Sequence, residues 1–107
     1  MMFEEKKNCY GNSAKNFVRV IVDSDTGVMY LSNKHSMILM KSVDGLPSIF
    51  SERTKIVNHV HEISKLSQFV GWQNIFVNED DGTMYIGGDE ILVQCVDQFG
   101  MPKIYNK

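Results

Sequence analysis

The chain of 107 residues has little of what usually marks a specialised surface. Its two cysteines, Cys9 and Cys95, lie far apart and outside any Cys-x-x-Cys pair, so they support neither a disulfide framework nor a thiolate metal site. They read as a reduced, cytoplasmic pair of thiols. No apolar run approaches the roughly 20 residues of a membrane span. Met1-Met2-Phe3-Glu4-Glu5-Lys6-Lys7 mixes both charges without an apolar centre, so no secretory signal is expected. Eleven Lys and Arg against thirteen Asp and Glu give a net charge of −2, without the basic excess of a general nucleic-acid binder. No Gly-rich phosphate loop opens a helix, and nothing resembles a Ser/His/Asp or Cys/His constellation. Neither an enzyme nor a cofactor is expected.

What the chain does have is an internal echo. Val22-Asp23-Ser24-Asp25-Thr26-Gly27-Val28-Met29-Tyr30-Leu31 returns as Val77-Asn78-Glu79-Asp80-Asp81-Gly82-Thr83-Met84-Tyr85-Ile86. Gly45-Leu46-Pro47-Ser48-Ile49-Phe50 returns as Gly100-Met101-Pro102-Lys103-Ile104-Tyr105, and the only two prolines are equivalent. The offset is 55 residues in both places, and eight of 34 aligned pairs from Phe17/Trp72 to Phe50/Tyr105 are identical. This is the pattern of two copies of one unit, repeat 1 over 1–52 and repeat 2 over 53–107. Each copy is near the size at which one core becomes marginal, so the whole of 1–107 is expected to fold as a single domain.

Within each copy, two β-rich runs flank a polar loop ending in glycine, a hairpin signal. A four-residue loop of this kind wants a left-handed last residue, so Gly27 and Gly82 are expected at positive φ. That register pairs Val22 with Met29 and Val20 with Leu31. It sets Val18, Val20, Val22, Met29 and Leu31 on one face and Arg19, Ile21, Tyr30 and Ser32 on the other. By analogy Ile75, Val77, Met84 and Ile86 form the core face of the second copy, leaving Asn74, Phe76, Tyr85 and Gly87 on a mixed face. A third strand follows over 37–43 and 91–96, closed by a Gly-x-Pro turn where proline cannot continue a central strand. The segment 54–68 reads equally as a helix or a strand, since Ile56, Val60 and Ile63 fit a helical face while the β-branched density fits a strand. The expected fold is mainly β: two tandem antiparallel meanders about a pseudo-two-fold, with one helix near 54–68 left open.

Val20-Ile21-Val22-Asp23-x-x-Thr26-Gly27-Val28-x-Tyr30-Leu31, followed by Asp44-Gly45-x-Pro47, resembles a family of short bacterial and phage proteins to which no activity is assigned. Family members share a Val-Asp-x-x-Thr-Gly-Val-x-Tyr-Leu hairpin and an Asp-Gly-Lys-Pro turn, and their domain is about one repeat long. Here Leu46 stands in place of the turn lysine, and Asp81 and Thr83 depart from the pattern in the second copy. The resemblance implies a small phage-borne protein of the host cytoplasm, built as a fused equivalent of a two-chain assembly.

Among candidate functional groups, Tyr30 and Tyr85 are identical in both copies on the mixed face; that face either buries against other parts of the chain or another chain, or offers a pair of aromatic platforms for a planar ligand. Arg19 beside Tyr30, with Lys34 nearby, suits phosphate contacts, and Asn74 stands beside Tyr85. The basic first half and acidic second half, with Asp89-Glu90, would steer an anion to one repeat. His59-x-His61 is the one close histidine pair, but no spaced third ligand is visible and no metal is expected. Asp25 and Asp80 read as turn residues rather than an acid–base pair. These residues favour a non-enzymatic protein that sequesters a small anion such as a signalling nucleotide, an anti-defence role. The alternative is a protein–protein inhibitor or structural accessory docking on a host protein. Edge strands in so small a β protein also predict a homo-oligomer, first of all a homodimer.

Overall fold

Among the described residues nine strands follow one another: β1 (Phe3–Glu5), β2 (Tyr10–Gly11), β3 (Arg19–Asp23), β4 (Met29–Ser32), β5 (Met37–Leu39), β6 (Ile56–Asn58), β7 (Asn74–Asn78), β8 (Met84–Gly87) and β9 (Leu92–Gln94). They come from a computed structural model, which describes residues 2–59 and 73–105. Among those residues the only helical element is a single 3-10 turn, Ala14–Asn16, so the fold is nearly all β. Two sheets form, in the orders β1-β3-β4-β5 and β2-β6-β7-β8-β9. Neighbours are antiparallel except β2 and β6, which pair in parallel, so a strand from the first half extends the second half's sheet. The start of the ambiguous segment is extended, with Ile56, Val57 and Asn58 paired to Asn78, Val77 and Phe76. Residues 60–68 of that segment lie outside the described residues.

The hairpins have the expected registers. Val22 faces Met29 and Val20 faces Leu31, while Val77 faces Met84 and Ile75 faces Ile86. Gly27 and Gly82 both adopt positive φ, 80° and 81°, and their N–H groups bond Asp23 O and Asn78 O at 2.7 Å. The side chains that cap these turns are Asp23 and Asn78, whose Oδ1 atoms accept from the N–H of Asp25 and Asp80. These acceptors stand at the strand ends, where the carboxyl or amide reaches forward to the backbone two residues on. The third strands are shorter than expected, ending at Leu39 and Gln94, and segments around Ile49 and Ile104 fold back as bridges to Val28 and Thr83.

The core of the first sheet is the expected face: Val18, Val20, Val22, Met29 and Leu31 are buried. In the second sheet the expectation is inverted. Phe76, Tyr85 and Leu92 fill the shared core, while Ile75, Met84 and Ile86 are only half-buried, and Val77, though buried, packs outside the main cluster. The reason lies at the seam between the sheets. Asn33 Nδ2 donates to Gly88 O at 2.7 Å and to Ile91 O at 2.9 Å. Farther along, the Gln94 amide closes a two-way bond with the Lys41 backbone, accepting from its N–H at 2.9 Å and donating to its carbonyl at 2.7 Å. At the far end Gly45 lies against Met101. Contacts therefore run 33 to 88, 41 to 94 and 45 to 101, so β5 and β9 lie side by side in the same direction. When two meanders of the same strand order meet through their last strands running the same way, they turn opposite faces to the same side. Side chains alternate with a period of two, so every core position of the second sheet moves to the other parity.

Candidate functional site

A cleft of about 310 Å³ opens beside this seam, and its walls come from three segments of the first half and one of the second. Asn16 and Phe17 come from the end of the 3-10 turn, Arg19 and Ser32 from the paired ends of β3 and β4, Asn33 and Lys34 from the loop that follows, and Asp89 from across the seam.

Local chemistry holds these elements in place. Asn12 and Ser13 both adopt positive φ, 45° and 66°, which turns the chain sharply after β2 into the 3-10 turn. Ala14, wholly buried, anchors that turn to the core, and its carbonyl accepts from Phe17 N and Val18 N at 3.0 Å. The Phe17 ring packs at 47° against Phe76, with centroids 6.5 Å apart, and remains 42% exposed. Asn33 is tied on both sides: its Oδ1 accepts from His35 N, Ser36 N and the Ser36 hydroxyl, while its amide nitrogen holds the Gly88–Ile91 loop. Lys34 and Asp89 flank that link, each one residue beyond its partners.

Electrostatically the cleft is balanced rather than basic. Arg19 Nη1 donates to the carbonyls of Lys15 and Val18, and its Nε stands 3.7 Å from Glu5 Oε2. Arginine has five N–H donors in a fixed fork, so these contacts fix the guanidinium and leave Nη2 without a partner among the described residues. Lys34 and Asp89 form no ion pair with any described residue. Two cations thus meet two carboxylates, one of which already faces Arg19.

Arg19 and Lys34, of the residues singled out by sequence, come together here. The other three do not. Tyr30 lies on the same face as Arg19 but two pairs farther along the hairpin, half-buried, with the Phe3 ring edge-on at 5.7 Å and 85°. Asn74 is buried opposite Gly87. Tyr85 is 0% exposed in the core, its hydroxyl 3.3 Å from the Thr83 hydroxyl, and burial pushes its phenol far above the usual tyrosine range. The face that bears Tyr85 is closed, and the ring offers no surface to a ligand. Phe17, which sequence reasoning passed over, supplies the exposed ring instead, and a signal was present: both aligned segments open on an aromatic, Phe17 and Trp72. Trp72 itself lies outside the described residues.

Of the histidine pair only His59 is among the described residues, and it does not line the cleft. His59 stacks on Tyr105 with centroids 4.7 Å apart, and His61 lies outside the described residues. Among the described residues no group of three His, Cys, Asp or Glu is placed to hold a metal, and no helix is long and apolar enough to cross a membrane. Compared with known proteins, the chain matches no family model, and neither a curated protein nor a solved structure is significantly similar to it.

Proposed function

We propose that this is a small non-enzymatic binding protein of phage or mobile-element type, which sequesters a small anionic ligand such as a signalling nucleotide in the cytoplasm. The observation that carries the reading is the convergence of Arg19 and Lys34 on one cleft, with Nη2 of Arg19 and the ammonium of Lys34 uncommitted among the described residues. A guanidinium held by two backbone carbonyls is pre-organised for the bidentate contact that phosphate and carboxylate prefer. The volume of about 310 Å³ lies at the small end of ligand sites. Tandem duplication about a pseudo-two-fold is part of the same proposal. It is supported by hairpin registers that recur at an offset of 55 residues and by the bond between Asn33 and Gly88, which are themselves 55 residues apart. Near a two-fold, equivalent residues meet. Isothermal titration of phosphate and of linear and cyclic nucleotides into wild type, Arg19→Ala and Lys34→Ala tests the cleft. Binding that weakens about tenfold in each variant and falls with added salt supports it. Binding absent throughout, or retained by both variants, removes it.

A second reading rests on the exposed apolar side chains that the two Gly-x-Pro turns and their flanks carry, Leu46, Ile49, Val96, Met101, Ile104 and a Phe99 that is 80% exposed, with Gly45 of one turn lying against Met101 of the other. Exposed apolar groups of this kind mark interaction surfaces. The occupant we assign is a second copy of the chain, because the same turns and flanks carry exposed Lys41, Lys103, Asp44 and Asp97, of both signs, and a two-fold docking can oppose them. Light scattering at tens of micromolar should then give a dimer that Phe99→Asp dissociates. A monomeric wild type would refute that occupant and leave docking on a host protein as the use of this surface.

A further inference from the structure

We propose that the cleft, if it is the anion site described above, selects a nucleoside monophosphate. The phosphate would lie on Arg19 and Lys34, the base on Phe17, and the base's amino edge on Asp89.

Four observations lead there. Lys34 and Asp89 occupy equivalent places, 55 residues apart, and both line the cleft. A symmetric pair of copies would set two like charges there, but this chain sets a cation against an anion, and neither is ion-paired with a described residue. A ligand spanning the two must itself be unlike at its ends, anionic at one and donating at the other. Secondly, Glu5 beside Arg19 offsets part of the positive charge. A polyanion such as a triphosphate would meet two carboxylates, whereas a ligand with one phosphate would not be overdrawn. Thirdly, the small volume suits one nucleotide rather than two. Finally, the Phe17 ring lines the cleft, packs at a tilt on Phe76 and remains 42% exposed, so it is held in place with surface left for a base to stack on. A carboxylate accepts from the amino groups of cytosine, adenine and guanine, while the corresponding position of uracil is a carbonyl that it repels.

Cytidine and uridine monophosphates have nearly the same size and charge, so their comparison isolates Asp89. The experiment is isothermal titration of inorganic phosphate, cytidine monophosphate and uridine monophosphate into wild type, Asp89→Asn and Phe17→Leu, with thermal unfolding of each variant as a folding control. In wild type, cytidine monophosphate should bind about tenfold more tightly than uridine monophosphate or phosphate. Asp89→Asn, whose amide can also donate, should bring the two nucleotides within about threefold of each other and leave phosphate binding unchanged or tighter. Phe17→Leu should weaken both nucleotides about tenfold without weakening phosphate. Phosphate binding as tightly as the nucleotides, or a cytidine preference that survives Asp89→Asn, overturns this inference while the anion site stands. Failure of all three ligands to bind wild type overturns both.

Discussion

Asn33 makes two kinds of bond, and two substitutions at this one position separate them. Its Oδ1 takes three donors within its own loop, and its Nδ2 gives two hydrogens to carbonyls across the seam, at 2.7 and 2.9 Å. Each intramolecular bond contributes about 0.5–1.5 kcal/mol net, with the solvent-exposed loop bonds at the low end. Asn33→Ala should therefore cost about 2–3 kcal/mol. Asn33→Asp keeps the loop acceptor but loses both cross-seam donors and presses a carboxylate against Gly88 O and Ile91 O. If the seam holds the two sheets together, the aspartate should cost at least as much as the alanine, although aspartate is a good loop-capping residue. For a domain of this size such a loss lowers the melting temperature by about 10–20 °C. Urea denaturation of the two variants beside wild type decides the matter. An Asn33→Asp protein as stable as wild type would show that only the loop cap matters, and the reasoning about the seam would fail.

Other consequences follow from the same geometry. Alanine at Gly27 or Gly82 should cost about 1 kcal/mol through left-handed strain. Gly82→Ala should cost more, since its new methyl would lie 2.9 Å from Ile104 Cγ2 against 3.3 Å from Ile49 Cγ2 at Gly27, and urea midpoints check the order. Burial pushes the Tyr10 phenol up to about 12, opposed by the Val20 N–H that it accepts at 2.7 Å. A folded-state value above the unfolded one means stability is intact below about pH 10 and lost as pH rises towards 12. Tyrosinate absorbance followed alongside unfolding should show this loss, and full ionisation of the folded protein near pH 10 would contradict it. Burial also raises the Cys9 thiol to about 11, while Cys95 is only half-buried and its smaller rise is opposed by Lys103. A disulfide reagent at pH 8 should label Cys95 first and Cys9 only on unfolding; equal rates in the native state would refute the burial argument.

Much of each hairpin was legible because its information is local. Alternation with period two, a polar loop and a terminal glycine fix Val22 opposite Met29 and Val77 opposite Met84. Which face of a hairpin becomes core is not local when both faces carry apolar residues. Ile75, Val77, Met84 and Ile86 compete with Phe76 and Tyr85, and the choice is made by how β5 and β9 meet. That meeting depends on Asn33 and Gln94, which read in sequence as ordinary polar residues of a loop and a strand end. The site follows the same division. Arg19 and Lys34 were found from charge and proximity, whereas the identity of Tyr30 and Tyr85 suggested a shared task that their surroundings do not share.

Chemical-shift mapping of the ¹⁵N-labelled protein with inorganic phosphate tests the anion cleft most directly. Saturable shifts should appear in the amides of Asn16, Phe17, Arg19, Lys34 and Asp89, which line the cleft, and disappear in Arg19→Ala. Absence of saturable shifts, or shifts centred on the distant turns that carry Leu46 and Phe99, would contradict the account.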